Sequence, residues 1–439
     1  MSPVISAHGL GGAKDLPIPA EYATAGAVLA LVISFVVLAT AWRRPRFEGA
    51  VLGRPVPGIQ RVVDSTAFLV AVRLLGLAAF GYVALTLLAG EDRLTNPVFG
   101  IVYVLLWVGI VPLSLALGPV WKALSPWRSI AWLLSKLLRT DPEEGVLPLP
   151  EKWGLWPAAI GLYAFVWLEL VSPSQTMLGT LRLWLVVYGV AMVMGALVWG
   201  TRFLGRADPF EVYSSLLAKL SVWGRRDGEL VLLSPLRNLA TTTPLPGLAA
   251  VMAVLLGSTA YDSFRESPPF VQYVQGSDVD QTLVTNLALL GFVLLAGAIL
   301  TVGTMATGVD HTTRRRDLPR RFAHSMMPIV VGYMVAHYFS YFVFMGQQTL
   351  IQMSDPLSRG DDWFGTGDWA VNNWLIYQAT ALAVLKVVAV VTGHVLGAVA
   401  SHDRAVHLLP ERHHVTGQLS LLAAMVAFTA GGLYLLFAG

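Results

Sequence analysis

The chain has 439 residues, of which 55% are hydrophobic and only 13% are charged, and it contains no cysteine. Average soluble domains carry about 25% charged residues, so the low charge and a mean hydropathy of +0.63 exclude a water-soluble globular protein as the default interpretation. The absence of cysteine excludes disulfides, thiolate nucleophiles, iron–sulfur clusters and cysteine-bound zinc.

Apolar runs long enough to cross a membrane recur along the whole sequence. At a rise of about 1.5 Å per residue, each run can cross roughly 30 Å of hydrocarbon. We therefore predict an all-α, polytopic transmembrane helix bundle of about ten spans, forming a single integral membrane domain over residues 1–439. The spans are predicted at 20–42, 63–90, 97–118, 155–173, 180–200, 245–262, 281–305, 325–349, 374–400 and 417–438.

The basic residues are unevenly divided between the alternate loops of this topology. With the N-terminus outside, the inner loops hold 23 Lys and Arg residues, whereas the outer segments hold four: Lys14, Arg93, Arg265 and Arg359. Cytoplasmic loops are enriched in Lys and Arg, so both termini are predicted to face the outside. The net charge of +3 is then explained by the excess of basic residues in the inner loops. The basic cluster 314–321 is interpreted as a membrane-surface anchor rather than a nucleic-acid site.

The ratio of Arg to Lys also favours a bacterial membrane. Arg outnumbers Lys by 24 to 6, which is typical of GC-rich bacterial genomes. We predict a multi-pass protein of a bacterial plasma membrane. Its expected partners are the lipid bilayer and a small molecule or ion, with no nucleic acid.

Two inner loops contain similar segments, 125–137 and 208–220, which align without a gap. Each begins with an N-cap residue, Ser125 or Asp208, followed by a proline at the first helical position. Both are interpreted as amphipathic helices that lie on the inner membrane surface. The pair indicates an internal duplication of 63–139 and 155–222, with convergence on a common amphipathic pattern as the alternative.

Ionisable residues within a span are costly and are therefore functional hypotheses by default, and five of those in the predicted spans are taken as candidates. They are Arg73, Glu169, His337, Lys386 and His394. Counting from the inner end of each span places all except His394 at similar depth near the bilayer middle. Glu169 is expected to pair with Arg73 or Lys386. A polar cavity for binding or transport, a buried ion pair that fixes helix packing, and snorkelling of lipid-facing side chains all stay open as interpretations.

The eighth span carries a polar stripe. His337, Tyr341, Met345 and Gln348 follow a spacing of i, i+4, i+8 and i+11, which places them on one helix face. Such a stripe offers hydrogen-bond donors and acceptors at membrane depth. Its alternative role is hydrogen bonding that holds helices together.

Acidic residues and one histidine on the predicted outer side suggest a divalent metal as the candidate cofactor. Asp355, Asp361 and Asp362 lie in one outer loop, Asp262 lies at the outer end of the sixth span, and His8 lies in the N-terminal tail. Carboxylates suit hard cations, so an outer metal site is one interpretation. The alternative is an outer loop that is stabilised by local turns.

Recognisable catalytic motifs are missing from the sequence. It contains no Walker A, HExxH or GxSxG motif, so no catalytic residue is assigned. The first functional hypothesis is binding or transport of a small molecule or ion by the intramembrane polar residues. A further hypothesis is a metal- or haem-binding redox protein, which rests on His337, His394 and His8.

Seven short segments together resemble a family of bacterial membrane proteins. They are His8-Gly9-Leu10-Gly11-Gly12, Ser125-Pro126-Trp127-Arg128, Trp167-Leu168-Glu169-Leu170-Val171, Tyr261-Asp262-Ser263-Phe264, Ala336-His337-Tyr338-Phe339, Ser354-Asp355-Pro356-Leu357 and Gly393-His394-Val395. The chain resembles, over nearly its whole length, the polytopic proteins of mainly actinobacterial origin that carry the label fenitrothion hydrolase. The resemblance implies hydrolysis of a phosphotriester as the alternative function. Such a reaction needs an activated water and charge stabilisation at the phosphoryl oxygen, usually from metal ions.

Overall fold

A computed structural model describes residues 10–47, 53–307, 309, 313–410 and 416–437. The α-helices are α1 (Ala20–Ala41), α2 (Pro57–Val63), α3 (Thr66–Ala89), α4 (Pro97–Gly100), α5 (Ile110–Leu117), α6 (Val120–Leu124), α7 (Pro126–Leu138), α8 (Trp156–Leu170), α9 (Leu178–Trp199), α10 (Leu204–Ala207), α11 (Pro209–Leu217), α12 (Pro235–Leu239), α13 (Leu248–Arg265), α14 (Pro268–Gly276), α15 (Gln281–Met305), α16 (Leu318–Phe322), α17 (Met327–Gln352), α18 (Ala379–Leu408) and α19 (Leu419–Phe437). The strands are β1 (Arg54–Pro55), β2 (Trp223–Arg226) and β3 (Glu229–Leu232). Residues Ile101–Leu106 form a π-helix, and 3₁₀ turns cover Ala13–Asp15, Glu151–Trp153, Ala218–Leu220, Arg315–Asp317, Ala323–Met326, Trp374–Gln378 and Thr416–Gln418.

Many of these helices are long and apolar enough to cross a membrane. In the described ranges seven qualify: Ala20–Ala41, Thr66–Ala89, Leu178–Trp199, Gln281–Met305, Arg315–Gln352, Trp374–Leu408 and Leu419–Phe437. An eighth arises if Pro97–Leu106 and Ile110–Leu117, which bend by 44° at their junction, form one broken span. The chain is thus a predominantly helical, multi-pass membrane protein, although this count does not confirm the ten spans predicted from the sequence.

The chain folds into two compact units, each assembled from separated stretches of sequence. Unit 1 contains 1–51, 235–341 and 373–439, and unit 2 contains 52–234 and 342–372. The division falls within α17, after Tyr341. The single integral domain stays a prediction. Both copies of the suspected internal repeat lie in unit 2, and the duplication also stays a prediction.

In unit 1, helix α13 packs along α15, and α1 packs against α18 and α19. One apolar cluster draws on α1, α17, α18 and α19, and it consists of Ala27, Tyr333, Ala336, Val390, Leu433 and Leu436. These residues are at most 9% exposed. In the same unit, His337 of α17 and Lys386 and His394 of α18 are also buried.

Glycines bring α17 and α18 into backbone contact. A Cβ atom built on Gly332 would lie 2.5 Å from the carbonyl oxygen of Ala389, and one built on Gly393 would lie 2.5 Å from the carbonyl oxygen of Pro328. Small residues permit this kind of close helix pairing in membranes. The contact fixes the register of the two antiparallel helices, so that His337 and Lys386 each lie about one turn beyond it.

Unit 2 contains both segments that were predicted as surface helices. Their caps are as expected, because the Ser125 side chain accepts a hydrogen bond from the Arg128 amide and the Asp208 side chain accepts from Phe210 and Glu211. Helix α7 exposes apolar residues on one side, including Leu133, Leu137 and Leu138. The surface prediction is wrong for α11, whose residues are buried except for Ser215, because α5, α6 and α8 pack around it.

A small antiparallel sheet in unit 2 was not predicted. Strands β2 and β3 pair in a hairpin, and β1 adds to the other edge of β3. The connecting residues Asp227 and Gly228 both have positive φ, 49° and 86°. A two-residue Asp-Gly loop with this geometry matches the right-handed twist of the flanking strands.

Candidate functional site

A buried polar arrangement in unit 1 is centred on Asp262 of α13 and His337 of α17. The His337 Nε2 atom lies 3.0 Å from Asp262 Oδ2, and the Tyr338 hydroxyl donates to the same oxygen at 2.6 Å. The Arg265 Nε atom lies 2.8 Å from the other carboxylate oxygen, Oδ1. Asp262 and His337 are only 2% and 6% exposed, so their interaction takes place away from bulk solvent.

The hydrogen bonding continues from the second nitrogen of the imidazole. His337 Nδ1 lies 3.1 Å from the Ser263 hydroxyl, which in turn lies 2.8 Å from the Tyr333 hydroxyl. The result is a relay chain, Tyr333–Ser263–His337–Asp262, in which each member can donate or accept a proton. We call these four residues the relay chain.

Local helix geometry explains why these residues meet. Tyr333 and His337 are four residues apart on α17 and therefore share a face, and their rings stack with centroids 6.2 Å apart. Asp262 and Ser263 are adjacent on α13, so they approach opposite nitrogens of the same imidazole ring.

The relay chain has a consistent hydrogen-bond direction for each charge state of His337. With a neutral ring, Nε2–H donates to Asp262 while Nδ1 accepts from Ser263, whose oxygen accepts from Tyr333. With a protonated ring, Nδ1–H donates to Ser263, and the Ser263 hydroxyl turns to donate to Tyr333. The same four side chains can therefore hold a proton in two arrangements without a change of partners.

A further acidic residue lies at the outer edge of the relay chain. Glu266 directly follows α13, and its side chain reaches the surface. Partial desolvation raises the pKa of Glu266, and so does the negative charge of Asp262. The positive charges of His337, Arg265 and Lys386 oppose this shift.

The other residues predicted in unit 1 have separate surroundings. Lys386 is 5% exposed, and the acidic groups whose charges act on it are Asp15 and Glu266. The Nδ1 atom of His394 lies 2.8 Å from the Val390 carbonyl oxygen and so donates to it. That bond leaves Nε2 as an acceptor, and it is buried without a partner in the described part of the chain.

The ring of Tyr341 contacts that of Tyr338, with centroids 6.2 Å apart. Tyr341 therefore lies beside the relay chain. Gln348 is half-buried and belongs to unit 2, so the predicted stripe continues beyond the unit that contains the relay chain.

Arg73 and Glu169 both belong to unit 2, but they do not form the predicted ion pair. The Arg73 guanidinium lies over the ring of Trp132, 5.2 Å from its centroid. Glu169 is half-buried, and its charge acts on the hydroxyls of Tyr103 and Tyr213. A face-on aromatic ring stabilises a cation, so Trp132 provides a favourable contact for the Arg73 guanidinium.

Asp355 and Asp362, which were predicted to bind a metal, accept hydrogen bonds within their own loop. Asp355 accepts from the amides of Arg359 and Gly360, and Asp362 accepts from the Ser354 hydroxyl and the Gly367 amide. These hydrogen bonds lower the pKa of Asp362. The local-turn interpretation therefore accounts for Asp355 and Asp362.

The divalent metal site is not supported by the part of the chain that is described. No group of three or more His, Asp or Glu side chains there is placed to hold a metal ion. Asp262 instead belongs to the relay chain, and no hydrogen bond or ion pair of Asp361 is seen. His8 lies outside the described residues.

Known proteins provide no guide to the role of this arrangement. Comparison with protein-family models, with curated proteins and with solved structures gives no match to the chain. The functional argument therefore rests on the geometry of the polar groups.

Proposed function

We propose that the protein is a proton-coupled transporter of a small molecule or ion, in which the relay chain carries the proton. The observation that carries this proposal is the buried hydrogen-bond sequence Tyr333–Ser263–His337–Asp262, with its two consistent proton arrangements. Ionisable residues inside membrane bundles are costly, and chains of Asp and His are typical of proton relays in pumps and transporters. Hydrogen bonds that only hold α13 and α17 together would not need a titratable group at the contact between these two helices.

The proposal includes a topology of ten spans with both termini outside, in a bacterial plasma membrane. It adds α8 and α13 to the seven long helices and the broken span. Helix α8 is a shorter apolar helix of 15 residues, and α13 is an 18-residue helix with a mostly buried surface. The excess of basic residues on one set of loops supports the orientation.

Proteoliposomes that contain a trapped pH indicator test this function even though the substrate is unidentified. Candidate organic anions, organic cations and inorganic ions are added outside, and a solute that is carried with protons changes the internal pH. A second series imposes a K⁺ diffusion potential and records proton entry alone. We expect the wild-type protein to show proton movement in at least one series, and Asp262→Asn and His337→Gln to abolish it.

The matched control is His394→Gln, which alters another buried histidine on α18 that lies outside the relay chain. We expect it to retain the proton signal. Proton movement that persists in both relay variants, or its complete absence in folded wild-type protein, would refute the proposal.

One observation favours the hydrolase alternative that the family resemblance implies. Ser263, His337 and Asp262 are linked in the order of a nucleophile, a base and an orienting carboxylate. In such a reaction the Ser263 oxygen would attack phosphorus while its proton passes to His337 and the phenolate leaves. Labelling by a fluorophosphonate, followed by mass spectrometry of the Ser263 peptide, tests this alternative. A labelled Ser263 whose replacement by Ala stops triester cleavage would favour the hydrolase over the transporter.

A further inference from the structure

An aromatic groove lies in unit 2, where α8 begins and α9 ends. The groove has a volume of about 600 Å³ and is lined by Lys152, Trp153, Trp156, Pro157, Ile160, Trp199 and Phe203. The rings of Trp153 and Trp199 meet edge to face with centroids 5.0 Å apart, and Phe203 stacks on Trp199 at 5.4 Å. Trp156 and Ile160 are 52% and 67% exposed, so the groove presents a broad apolar surface.

The position of the groove indicates that lipid covers it. Helix α9 is long and apolar enough to span a membrane, and the groove lies at the end of this helix. Tryptophans concentrate at the boundary between hydrocarbon and headgroups, because their rings are apolar while the indole N–H is polar. The groove has three tryptophans and lies at a helix end. We therefore expect the apolar bottom of the groove to lie beside acyl chains and its opening, which we call the mouth, to lie at headgroup level.

Two features at the mouth suit an anionic phosphate. Lys152 is exposed and lines the groove, and it forms no ion pair within the described residues. Glu151, which precedes Lys152, is exposed and does not line the groove.

The second feature is the N-terminus of α8, a helix of 15 residues. Its N-cap residue, Leu155, supplies no side-chain hydrogen bond to the first turn. The N-terminus of a helix carries a partial positive charge, which favours a bound phosphate.

We propose that this groove is a binding site for one phospholipid. The headgroup phosphate binds Lys152 and the N-terminus of α8, and an acyl chain lies along Trp153, Trp156 and Trp199. The site is separate from the relay chain and does not depend on the transport function proposed above.

Native mass spectrometry of the full-length protein in a neutral detergent tests the site. The delipidated protein is titrated with dioleoyl phosphatidylglycerol, and separately with dioleoylglycerol, which has the same chains but no phosphate. We expect one phosphatidylglycerol to bind more tightly than the rest, and Lys152→Gln to weaken that binding at least five-fold. Lys122→Gln, which alters an exposed lysine outside the groove, should have no effect.

A second pair of variants tests the apolar part of the groove. Trp156→Ala should weaken binding of both lipids, whereas Trp374→Ala, which alters another half-exposed tryptophan in unit 1, should not. Because both tryptophans are exposed, the variants are expected to fold, and their thermal unfolding is measured as a check. Equal binding of both lipids to wild-type protein, unchanged binding in Lys152→Gln, or the absence of a one-to-one complex would each overturn the proposal.

Discussion

The contact between Asp262 and His337 can be measured as a coupling free energy. His337→Phe keeps a ring of similar shape but removes both nitrogens, and Asp262→Asn removes the negative charge. A double-mutant cycle of these two changes isolates the interaction between the side chains, provided that each variant folds. The free energies of unfolding come from denaturation of the purified protein in mixed micelles.

The expected magnitude separates two physical descriptions of the contact. Neutral hydrogen bonds between membrane helices contribute about 0.6 kcal/mol on average. A hydrogen bond to a charged group contributes about 1.5–3 kcal/mol. Because the Nε2–Oδ2 distance is 3.0 Å and both side chains are almost fully buried, we expect a coupling energy of at least about 1.5 kcal/mol.

An additive cycle would refute this reasoning. If the two substitutions together cost the sum of their separate effects within about 0.3 kcal/mol, the side chains do not interact energetically. His394→Phe combined with Asp262→Asn is the control, since His394 shares no hydrogen-bond partner with Asp262 in the structure. That pair is expected to be additive.

Three further predictions concern other parts of the fold. Burial raises the pKa of Asp208 to about 6, although its hydrogen bonds lower it, so the free energy of unfolding should fall by up to about 3 kcal/mol as pH rises from 4 to 7. Asp208→Asn should flatten this pH dependence in thermal unfolding, and an unchanged slope would contradict the assignment. Gly332→Ala should lower the unfolding free energy in micelles by more than about 1 kcal/mol, because its Cβ would meet a backbone carbonyl, whereas Gly346→Ala on the same helix has nothing within 4 Å and should not destabilise. Arg128→Met should lower the free energy of unfolding by about 3 kcal/mol, since the buried Glu211 carboxylate loses its hydrogen bonds from Arg128 at 2.5 and 3.2 Å. Recovery of stability when Glu211→Gln is added is the check.

The pH dependence expected for Asp208 follows from an explicit direction of linkage. Its pKa in the folded state lies above the ordinary value of 3.8, so the folded protein binds the proton more tightly than the unfolded chain does. The stabilisation is complete below pH 4 and is lost as the pH rises through about 6. A stability that increased across this range would contradict the burial of this carboxyl group.

Some local features could be predicted from sequence because they depend on neighbouring residues alone. The caps at Ser125 and Asp208 were correct, since an N-cap and a following proline act within one helical turn. The hairpin at Asp227-Gly228 was missed, although an Asp-Gly pair between alternating residues is a strong short-range signal. The low-charge, apolar context of the chain favoured helices and obscured this signal.

The predicted depth of a residue in the membrane identified buried residues better than it identified their interaction partners. Arg73 and Glu169 were predicted to lie at similar depths, yet Arg73 contacts Trp132. Depth is one coordinate, whereas an ion pair also requires that two helix faces point towards each other. The contact of Asp262 with His337 likewise depends on the facing of α13 and α17, and the outer acidic site suggested for Asp262 stays a prediction.

The amino-acid composition by itself determined that this is a helical membrane protein, because a chain with so few charges and such long apolar runs must satisfy its backbone within helices. It also singled out His337, Lys386 and His394 as buried polar residues, and the structure places all three inside unit 1. Only the tertiary structure decided that His337 bonds Asp262 and Ser263 at once, and that α11 is buried rather than at the surface. The reason is that hydrogen-bond partners from different helices depend on how the helices rotate and pack, which no periodicity along one segment specifies.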